Sequence, residues 1–399
     1  MNLYKHQKQF LEENPDKTSL VWSCGTGKTR TALEWAGVEN PMPLVICPKA
    51  LKTNWWRESQ KYGVTIHIVS KEEFRKLHKE LRGYKQVIVD EVHNGFLTPQ
   101  FKSQMSKALK AYLKKHEVPR VLLLSATVYT SSPWNIFNLA YFTGNTWNWA
   151  KFKLMFFDDI WMGRRQIPVV KKGSEKKLAE LTKEIASIVN IEDCLDIPLQ
   201  LHTDPEYFSM SKEQEKIIKD NYDPVPIVRF TMQHEVENGI LVGNEFREAQ
   251  SFICDKNSRI WDLVNENPKI AIVCRYNAQI DALVRLLKTR KPMVIRGDVK
   301  DRDAVCLSAE KADSAIIIIQ ADCGIGFELP SFPVCVYASM SYSYTSWEQM
   351  NGRFLRMNKP SRTTFIYLLT ENKSIDQAIY DCIKRKEDFK IELYDKKRS

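Results

Sequence analysis

Residues 23–29, Ser-Cys-Gly-Thr-Gly-Lys-Thr, are the part of this sequence with the clearest chemical signature. They stand between an apolar, strand-like segment at 19–22 and a helix-like segment that begins near residue 31. A glycine-rich turn at such a junction directs backbone N–H groups toward one point, and the start of the helix adds positive potential, so the turn suits a polyphosphate. Lys28 can reach the β- and γ-phosphates, and the Thr29 hydroxyl can hold Mg²⁺. Because Trp22 stands where the general pattern has glycine, the segment alone could also be a simple turn with a chance Lys-Thr pair.

A pair of carboxylates follows a second apolar segment. Residues 86–93 read Gln-Val-Ile-Val-Asp-Glu-Val-His, which is typical of a buried strand that ends in Asp90 and Glu91. An Asp at the carboxyl end of a strand beside a phosphate loop can hold Mg²⁺ through water, and Glu91 can orient and deprotonate the attacking water. Without a phosphate loop the pair would be an ordinary solvated strand end. After one, it indicates a Walker B motif, so we predict an ATPase that uses ATP and Mg²⁺, with Lys28, Asp90 and Glu91 as catalytic residues and Thr29 and Asp90 at the metal.

Short apolar runs alternate with polar, helix-like stretches on both sides of a different middle region. The clearest runs are 44–47, 65–69, 87–89 and 121–124, and later 270–274, 292–295, 315–319, 334–337 and 364–368. They are continuous rather than alternating, which is typical of parallel strands covered on both faces. We therefore predict an α/β fold with two tandem doubly wound parallel-sheet domains, at 1–130 and 256–399, and a helical, aromatic and lysine-rich middle insertion at 131–255.

Composition limits the class of protein. Lys and Arg number 59 against 49 Asp and Glu in 399 residues, which favours a polyanionic partner, although a generic basic surface has the same balance. No apolar run approaches the ~18 residues of a membrane span, and no apolar segment follows a basic start, so neither a span nor a signal peptide is expected. The nine cysteines include no Cys-x-x-Cys pair. They indicate reduced core cysteines of a cytosolic protein rather than a zinc site.

Residues 349–356, Gln-Met-Asn-Gly-Arg-Phe-Leu-Arg, could supply cations to the reaction. Since only the first domain carries a phosphate loop, ATP is expected at the domain interface, with the second domain contributing positive charge. Arg353 and Arg356 are three residues apart and would share one face of a helix. A guanidinium aimed at the γ-phosphate is worth about 10³–10⁵ in rate. Two surface arginines on a helix would show the same spacing.

In their order along the chain, these segments resemble the motifs of superfamily 2 helicases, and most closely the Snf2-like branch. The corresponding segments are 4–7 for the Q motif, 25–29 for motif I, 45–55 for motif Ia, 90–93 for motif II, 125–127 for motif III, 272–276 for motif IV, 324–329 for motif V and 349–356 for motif VI. Ser374-Ile375-Asp376 before a helix also resembles the end of Snf2-type motors. The middle region departs from the pattern, because it lacks the paired arginines expected before residue 191 and is short. The compact form resembles bacterial or phage proteins.

The resemblance implies RecA-like domains and a role for each matching residue. Gln7 would contact adenine, and Gly25, Thr26, Gly27, Lys28 and Thr29 would surround the phosphates. Arg353 and Arg356 would stabilise charge on the γ-phosphate. The nucleic-acid backbone would be contacted by Pro48, Lys49 and Asn54. Hydrolysis would be coupled to movement by His93, Ser125, Thr127, Gly326 and Gln349.

We therefore predict a nucleic-acid-stimulated ATPase, namely an ATP-dependent DNA translocase or remodeller of the Snf2-like type. Its partner would be duplex or branched DNA rather than RNA, and it would be a monomer in the cytoplasm of a bacterial or phage-infected cell. Two alternatives stay open: a strand-separating DNA or RNA helicase, and a DNA-binding accessory factor switched by ATP. The tryptophans also allow two interpretations, since Trp55-Trp56 could stack on a base or fill a core, and those at 134–161 could form a wedge at a junction or pack on themselves.

Overall fold

The computed structural model describes residues 3–37, 42–98, 101–126, 133–162, 165–194, 200–243, 249–252, 254–299, 301–324, 327–355 and 362–389. Their contacts group the chain into two compact units, 1–196 and 197–399. Each unit has its own parallel sheet.

The first unit is built around a six-stranded sheet in which every neighbouring pair of strands is parallel. The strands of this unit are β1 (Lys17–Trp22), β2 (Leu44–Cys47), β3 (His67–Ser70), β4 (Gln86–Val89), β5 (Arg120–Ser125), β6 (Phe157–Met162), β7 (Arg165–Val170) and β8 (Ala186–Val189). The sheet order is β3-β2-β4-β5-β1-β8, and β6 and β7 form a separate antiparallel ribbon. Strands β2, β4 and β5 are buried along their whole length, as expected where both faces of a sheet are covered.

Helices of the first unit follow most of these strands. They are α1 (Lys5–Glu13), α2 (Lys28–Gly37), α3 (Lys52–Tyr62), α4 (Lys71–Leu77), α5 (Gln104–His116), α6 (Pro133–Phe142), α7 (Trp149–Phe156) and α8 (Glu175–Ile185). Two of them begin directly at the sheet edge, because α2 starts six residues after β1 ends and α4 starts immediately after β3. The Ser70 hydroxyl accepts a hydrogen bond from the Glu73 amide and caps α4. Both helix starts therefore lie at the carboxyl edge of the parallel sheet.

The second unit has a seven-stranded parallel sheet with the order β10-β17-β16-β13-β15-β14, and β9 also pairs with β17. Its strands are β9 (Gln200–His202), β10 (Glu206–Phe208), β11 (Ile240–Leu241), β12 (Gln250–Ser251), β13 (Lys269–Cys274), β14 (Met293–Ile295), β15 (Ala315–Gln320), β16 (Val334–Tyr337) and β17 (Thr363–Thr370). Its helices are α9 (Lys212–Asp220), α10 (Pro226–Glu237), α11 (Asp255–Glu266), α12 (Asn277–Leu286), α13 (Arg302–Lys311), α14 (Tyr344–Asn351) and α15 (Ile375–Lys384). The short pair β11–β12 is antiparallel and separate from the sheet.

The predicted α/β class with two tandem parallel sheets is confirmed. The residues predicted as a middle insertion, 131–255, are divided between the two units: β8 joins the first sheet through β1, whereas β9 and β10 join the second through β17. Five helices, α6 to α10, lie in this stretch, together with the β6–β7 ribbon. The division into two units falls after residue 196, within this stretch. The domain boundaries at 130 and 255 stay predictions.

Candidate functional site

The glycine-rich segment forms the loop between β1 and α2, as its sequence predicts. Gly25 and Gly27 have φ values of 81° and 88°, a left-handed conformation that glycine adopts without a steric penalty. Lys28 is the first residue of α2 and Thr29 the second, so their amides belong to the helix start, which has no intrahelical acceptors. The Lys28 ammonium donates to the carbonyls of Trp22 and Ser23 at 2.6 and 3.1 Å. A cation and several amides thus line one turn.

Neighbouring elements hold this loop from two sides. On one side, β8 contributes the Val189 carbonyl to the Ser23 amide at 2.9 Å, and the Ser187 hydroxyl accepts from the Trp22 indole at 3.0 Å. On the other, the His6 imidazole Nε2 lies 2.9 Å from the Thr26 carbonyl. Trp22, which replaces the usual glycine, is fully buried and so acts as an anchor of the loop.

Gln7 lies against the phosphate loop, and its side-chain amide is engaged in hydrogen bonds. Its Nε2 donates to the Gly27 carbonyl at 3.3 Å and to the Thr31 hydroxyl at 3.1 Å, and its Oε1 accepts from the Tyr4 amide at 2.9 Å. A Cβ added at Gly27 would come within 2.4 Å of the Gln7 Nε2. The positive φ of Gly27 favours glycine there, and any side chain would also displace the Gln7 amide. The predicted contact of Gln7 with adenine stays a prediction.

The two predicted acids follow β4 at the same sheet edge. In the sheet, β5 separates β4 from β1, and parallel strands present their carboxyl ends at one edge, where α/β proteins bind ligands. The Asp90 carboxylate accepts from the Trp55 indole at 2.8 Å and from the Glu91 amide at 2.9 Å. Glu91 has a φ of 49°, a conformation uncommon outside glycine, and its side chain is buried. Its Oε2 is buried without a hydrogen-bond partner.

This carboxylate pair carries uncompensated negative charge. Burial raises the pKa of Asp90, and the neighbouring Glu91 raises it further, to about 6, against the opposing effects of the Trp55 hydrogen bond and of Lys28 and Lys71. A raised pKa means that the ionised form is disfavoured in this environment. A divalent cation beside Asp90 and Glu91 would reverse that penalty. The chemistry of the donors and the orphaned Glu91 oxygen therefore fit a hydrated Mg²⁺.

Lys71 is a residue of this site that the sequence analysis missed. It is the first residue of α4, its side chain is buried, and its ammonium donates to the carbonyls of Glu91 and Asn94 at 2.8 and 2.9 Å. Burial lowers the pKa of Lys71 to about 8, although Glu91 and Asp90 oppose that shift. Lys71 thus fixes the turn that carries Glu91 through the backbone and leaves the carboxylates themselves unpaired. No sequence motif marks it, because a lysine after a strand is usually solvated.

The structure brings His93 and Ser125 together. The His93 Nδ1 lies 2.8 Å from the Ser125 hydroxyl and 3.4 Å from the Glu91 Oε2. Burial lowers the pKa of His93, so the ring is neutral at pH 7. A chain of contacts consequently runs from the acids after β4 to the end of β5. Thr127, the other predicted coupling residue of this segment, lies outside the described residues.

The predicted nucleic-acid residues lie at the carboxyl end of β2, next to the acids in the sheet. Pro48 and Asn54 are half-buried and Lys49 is exposed. The two adjacent tryptophans divide: Trp55 is fully buried and bonded to Asp90, whereas 57% of Trp56 is exposed. Core packing is thus the correct interpretation for Trp55 alone.

In the second unit, the predicted motif VI does not continue as a helix through Arg353. Helix α14 ends at Asn351, and the chain turns at Gly352, so the expectation that Arg353 and Arg356 share a helix face is wrong for Arg353. The Arg353 Nε donates to the Gln349 carbonyl at 3.0 Å, which fixes the start of the side chain. A Cβ on Gly324 would approach the Met350 amide within 3.1 Å, so motif V packs closely on motif VI. Arg356 and Gly326 lie outside the described residues.

A buried polar network links several segments of the second unit. The Asp376 carboxylate accepts from the Lys256 ammonium, from the His234 Nε2 at 3.0 Å and from the Thr370 hydroxyl at 3.0 Å. The Glu237 carboxylate accepts from the Ile375 and Asp376 amides at 3.0 and 3.1 Å and caps α15. Asp376 belongs to the terminal segment that the sequence analysis noted, and its partners on α10 and α11 carried no sequence signal.

Within the described ranges, no helix is long and apolar enough to cross a membrane. The same part of the chain contains no group of three or more His, Cys, Asp or Glu side chains that could hold a metal ion. Six of the nine cysteines are buried and all nine are free thiols.

Sequence and structure comparisons with known proteins give different results. No protein-family model and no curated protein sequence matches this chain. Among solved structures, the chain is similar to the SWI2/SNF2 ATPase core of Sulfolobus solfataricus in complex with double-stranded DNA, with 17% identity, a TM-score of 0.44, and coverage of 99% of this chain and 92% of that one. A similarity of this size carries no functional assignment.

Proposed function

We propose that this protein is a nucleic-acid-stimulated ATPase that moves along or remodels duplex or branched DNA. The observation that carries the ATPase proposal is the pairing of an anion-binding loop with an uncompensated carboxylate pair at one edge of the first sheet. The loop offers Lys28 and helix-start amides to phosphates. Asp90 and Glu91 offer oxygen donors that favour a cation.

The residues around a bound nucleotide would divide the chemistry among them. Lys28 would leave the carbonyls of Trp22 and Ser23 for the β- and γ-phosphates, while Thr29 and Asp90 would hold the hydrated Mg²⁺, which neutralises phosphate charge when bound. Glu91 would accept the proton of the attacking water through its free Oε2. Its position is defined by the Asp90 carboxylate at its amide and by Lys71 at its carbonyl.

Coupling of hydrolysis to movement is assigned to the His93–Ser125 contact. The Glu91 Oε2 lies 3.4 Å from the His93 Nδ1, and the same nitrogen lies 2.8 Å from the Ser125 hydroxyl. A change in the charge or position of the Glu91 carboxylate would therefore reach Ser125 through the His93 ring. Thr127, Gly326 and Gln349 keep their coupling roles as part of this proposal. Arg353 would supply a positive charge to the γ-phosphate during turnover, with Arg356 as its partner.

DNA is the proposed track because of the net positive charge and the motif Ia resemblance. Lys49 is exposed at the end of β2, where Pro48 and Asn54 flank it. Such contacts go to phosphates and carry no sequence information. Replacing Lys49 by Ala should weaken DNA binding uniformly across sequences and reduce the slope of log affinity against log salt by about 1. The matched control is Lys61→Ala, which removes an exposed lysine on α3, the helix that follows Lys49.

The decisive experiment measures steady-state ATP hydrolysis with duplex DNA, forked DNA, single-stranded DNA and RNA as separate stimulants. We expect stimulation by duplex and forked DNA, and none in the Lys28→Ala variant. Displacement of a triplex-forming strand, with little unwinding of a long partial duplex, would support translocation along a duplex. Efficient unwinding without triplex displacement would favour the strand-separating alternative, and a rate unchanged by any nucleic acid would overturn the motor proposal.

Arg353 provides a second test. Arg353→Ala should lower kcat by about 10³-fold or more, while the affinity for ATP stays within about tenfold because the charge acts mainly in the transition state. Arg362→Ala, an exposed arginine of the same unit, should leave kcat unchanged. A normal kcat in Arg353→Ala would remove this residue from the site.

A further inference from the structure

The functional proposal gives no role to the antiparallel β6–β7 ribbon of the first unit. Phe157–Met162 and Arg165–Val170 pair only with each other in the described structure, in register from Phe157↔Val170 to Met162↔Arg165. An isolated two-stranded ribbon is marginal by itself. The ribbon must therefore be stabilised by packing against the rest of the unit at one end.

That support lies at the root of the ribbon. Phe157 is buried, and its ring lies 4.9 Å from that of Trp134 and 6.0 Å from that of Trp149, which stack on each other at 4.1 Å. The Lys171 amide also donates to the Phe156 carbonyl at 2.9 Å. The tryptophans of α6 and α7 thus pack as a core, which settles one of the two interpretations for that part of the aromatic segment.

The free part of the ribbon exposes apolar side chains instead. Ile160 is 44% and Trp161 69% exposed, and consecutive residues of a strand point to opposite faces. Ile160 and Trp161 therefore expose apolar surface on opposite faces of β6. Val169 and Val170 of β7 are also exposed, and exposed apolar side chains grouped on one element are typical of an interaction site.

Charge around the ribbon selects the partner. The two acids of β6 are neutralised, because Lys153 pairs with Asp159 at 2.7 Å and Lys171 with Asp158 at 3.5 Å. The chain that leaves β7 then carries three exposed lysines, Lys172, Lys176 and Lys177. The register places Trp161 toward the tip of the ribbon and these lysines after its root. A flat, exposed ring followed along the ribbon by exposed cations matches the bases and phosphates of a single strand that runs along it.

We propose that Trp161 on this ribbon is a stacking platform for the bases of an unpaired DNA strand, so that the protein engages branched DNA through the ribbon as well as through duplex contacts. The identity of the polymer rests on the proposed function. The stacking itself does not, because it needs neither ATP nor the phosphate loop. Lys172, Lys176 and Lys177 hold the phosphates of the same strand.

The test is nucleotide-free binding of a fluorescein-labelled oligothymidylate and of a blunt duplex, followed by fluorescence anisotropy. Trp161→Ala should weaken binding of the single strand by about 5- to 100-fold and leave duplex binding within about twofold. Trp161→Phe should restore most of the loss. The control is Tyr222→Ala, which removes another exposed aromatic side chain, in the turn after α9. It should change the affinity for neither the single strand nor the duplex. A 2-aminopurine in the oligonucleotide should be quenched by the wild type and not by Trp161→Ala.

Unchanged binding of the single strand in Trp161→Ala would overturn the proposal, and so would an equal loss for both DNAs. Wild-type self-association that Trp161→Ala abolishes, with single-strand binding intact, would instead show that the ribbon joins copies of the chain. The Lys28→Ala variant separates the two proposals: it should retain Trp161-dependent binding although its ATPase activity is lost. Thermal unfolding of Trp161→Ala should match the wild type, since the side chain is mostly exposed.

Discussion

Each unit contains a buried cluster with two carboxylates and one lysine, but the lysine is used differently: the clusters are Asp90, Glu91 and Lys71 in the first unit and Glu237, Asp376 and Lys256 in the second. In the first unit, Lys71 donates to the backbone carbonyls of Glu91 and Asn94, and its ammonium forms no ion pair with the Asp90 or Glu91 carboxylate. In the second, Lys256 donates directly to Asp376, with His234 on the other carboxylate oxygen. The same residue types therefore leave the carboxylates of the first cluster without an ion pair to the lysine, whereas Asp376 in the second cluster is paired with it.

The pKa values of Asp90 and Asp376 follow this difference, whereas burial and Asp376 raise the pKa of Glu237, which caps α15, to about 7. Burial and Glu91 raise the pKa of Asp90 to about 6. Burial would also raise the pKa of Asp376, but Lys256 and His234 outweigh it and leave that pKa lowered. An uncompensated buried carboxylate is typical of a site that binds a cation or moves a proton, whereas a paired one holds segments together. The contrast places chemistry in the first unit's cluster and stability in the second's.

Replacing the second acid of each cluster tests this division most strongly. Glu91→Gln should lower kcat on the order of 10²–10⁴-fold by removing the proton acceptor, with nucleotide binding intact and the melting temperature not reduced, because one charge beside Asp90 disappears. Glu237→Gln should leave kcat nearly unchanged. Single-turnover hydrolysis and nucleotide titrations measure both variants. Loss of nucleotide binding in Glu91→Gln would show that its role has been misassigned.

Asp376→Asn should produce the largest stability loss. It leaves the buried Lys256 ammonium without its counter-charge, which typically costs about 3–5 kcal/mol. Urea unfolding of the single variants and of the double variant with Lys256→Met gives the coupling between the two side chains. The double variant should be more stable than the sum of the single losses predicts. Additive losses would mean that the pair does not act as a unit.

The sequence predicts the part of each unit that local chemistry determines. The continuous apolar runs at 44–47, 87–89 and 334–337 coincide with β2, β4 and β16 within one residue, because buried parallel strands carry their signal in consecutive residues. The loop before α2 and the acids after β4 are also predicted, since phosphate and metal chemistry restrict the residue types.

The sequence does not predict features that depend on tertiary pairing. Strand β8 is short and only half-buried, and it becomes a strand because it pairs with β1. Lys71 looks like any solvated lysine until α4 places it under the turn of Glu91. The end of α14 before Arg353 is another case, because the Gly352 turn and not the Gln-x-x-Gly-Arg spacing decides where the helix stops.

Lys71→Met tests whether the lysine of the first cluster acts by positioning Glu91. The ammonium holds the carbonyl of Glu91, so its removal should displace that carboxylate and reduce kcat by about 10- to 100-fold. Lys76→Met, an exposed lysine on the same helix, is the control. Because Lys71 is one of the charges that lower the pKa of Asp90, its loss should also move the pH profile of turnover to higher pH. A lower kcat with an unmoved profile would indicate a general structural defect.

The smallest expected effect is the pH dependence of Mg²⁺ binding. The pKa of Asp90 is raised to about 6, so the protonated carboxyl, which cannot hold the cation, gains population as the pH falls through that value. Each pH unit below 6 should weaken the apparent Mg²⁺ affinity about tenfold, and no change is expected between pH 7 and 8. Calorimetric titration of Mg²⁺ in the presence of ADP at pH 5.0, 6.0 and 7.5 measures it. The Asp376 pair should not contribute, since its carboxylate has a lowered pKa and stays ionised over this range. An affinity that is flat down to pH 5 would mean that Asp90 is compensated in the free protein, and the contrast between the two clusters would then fail.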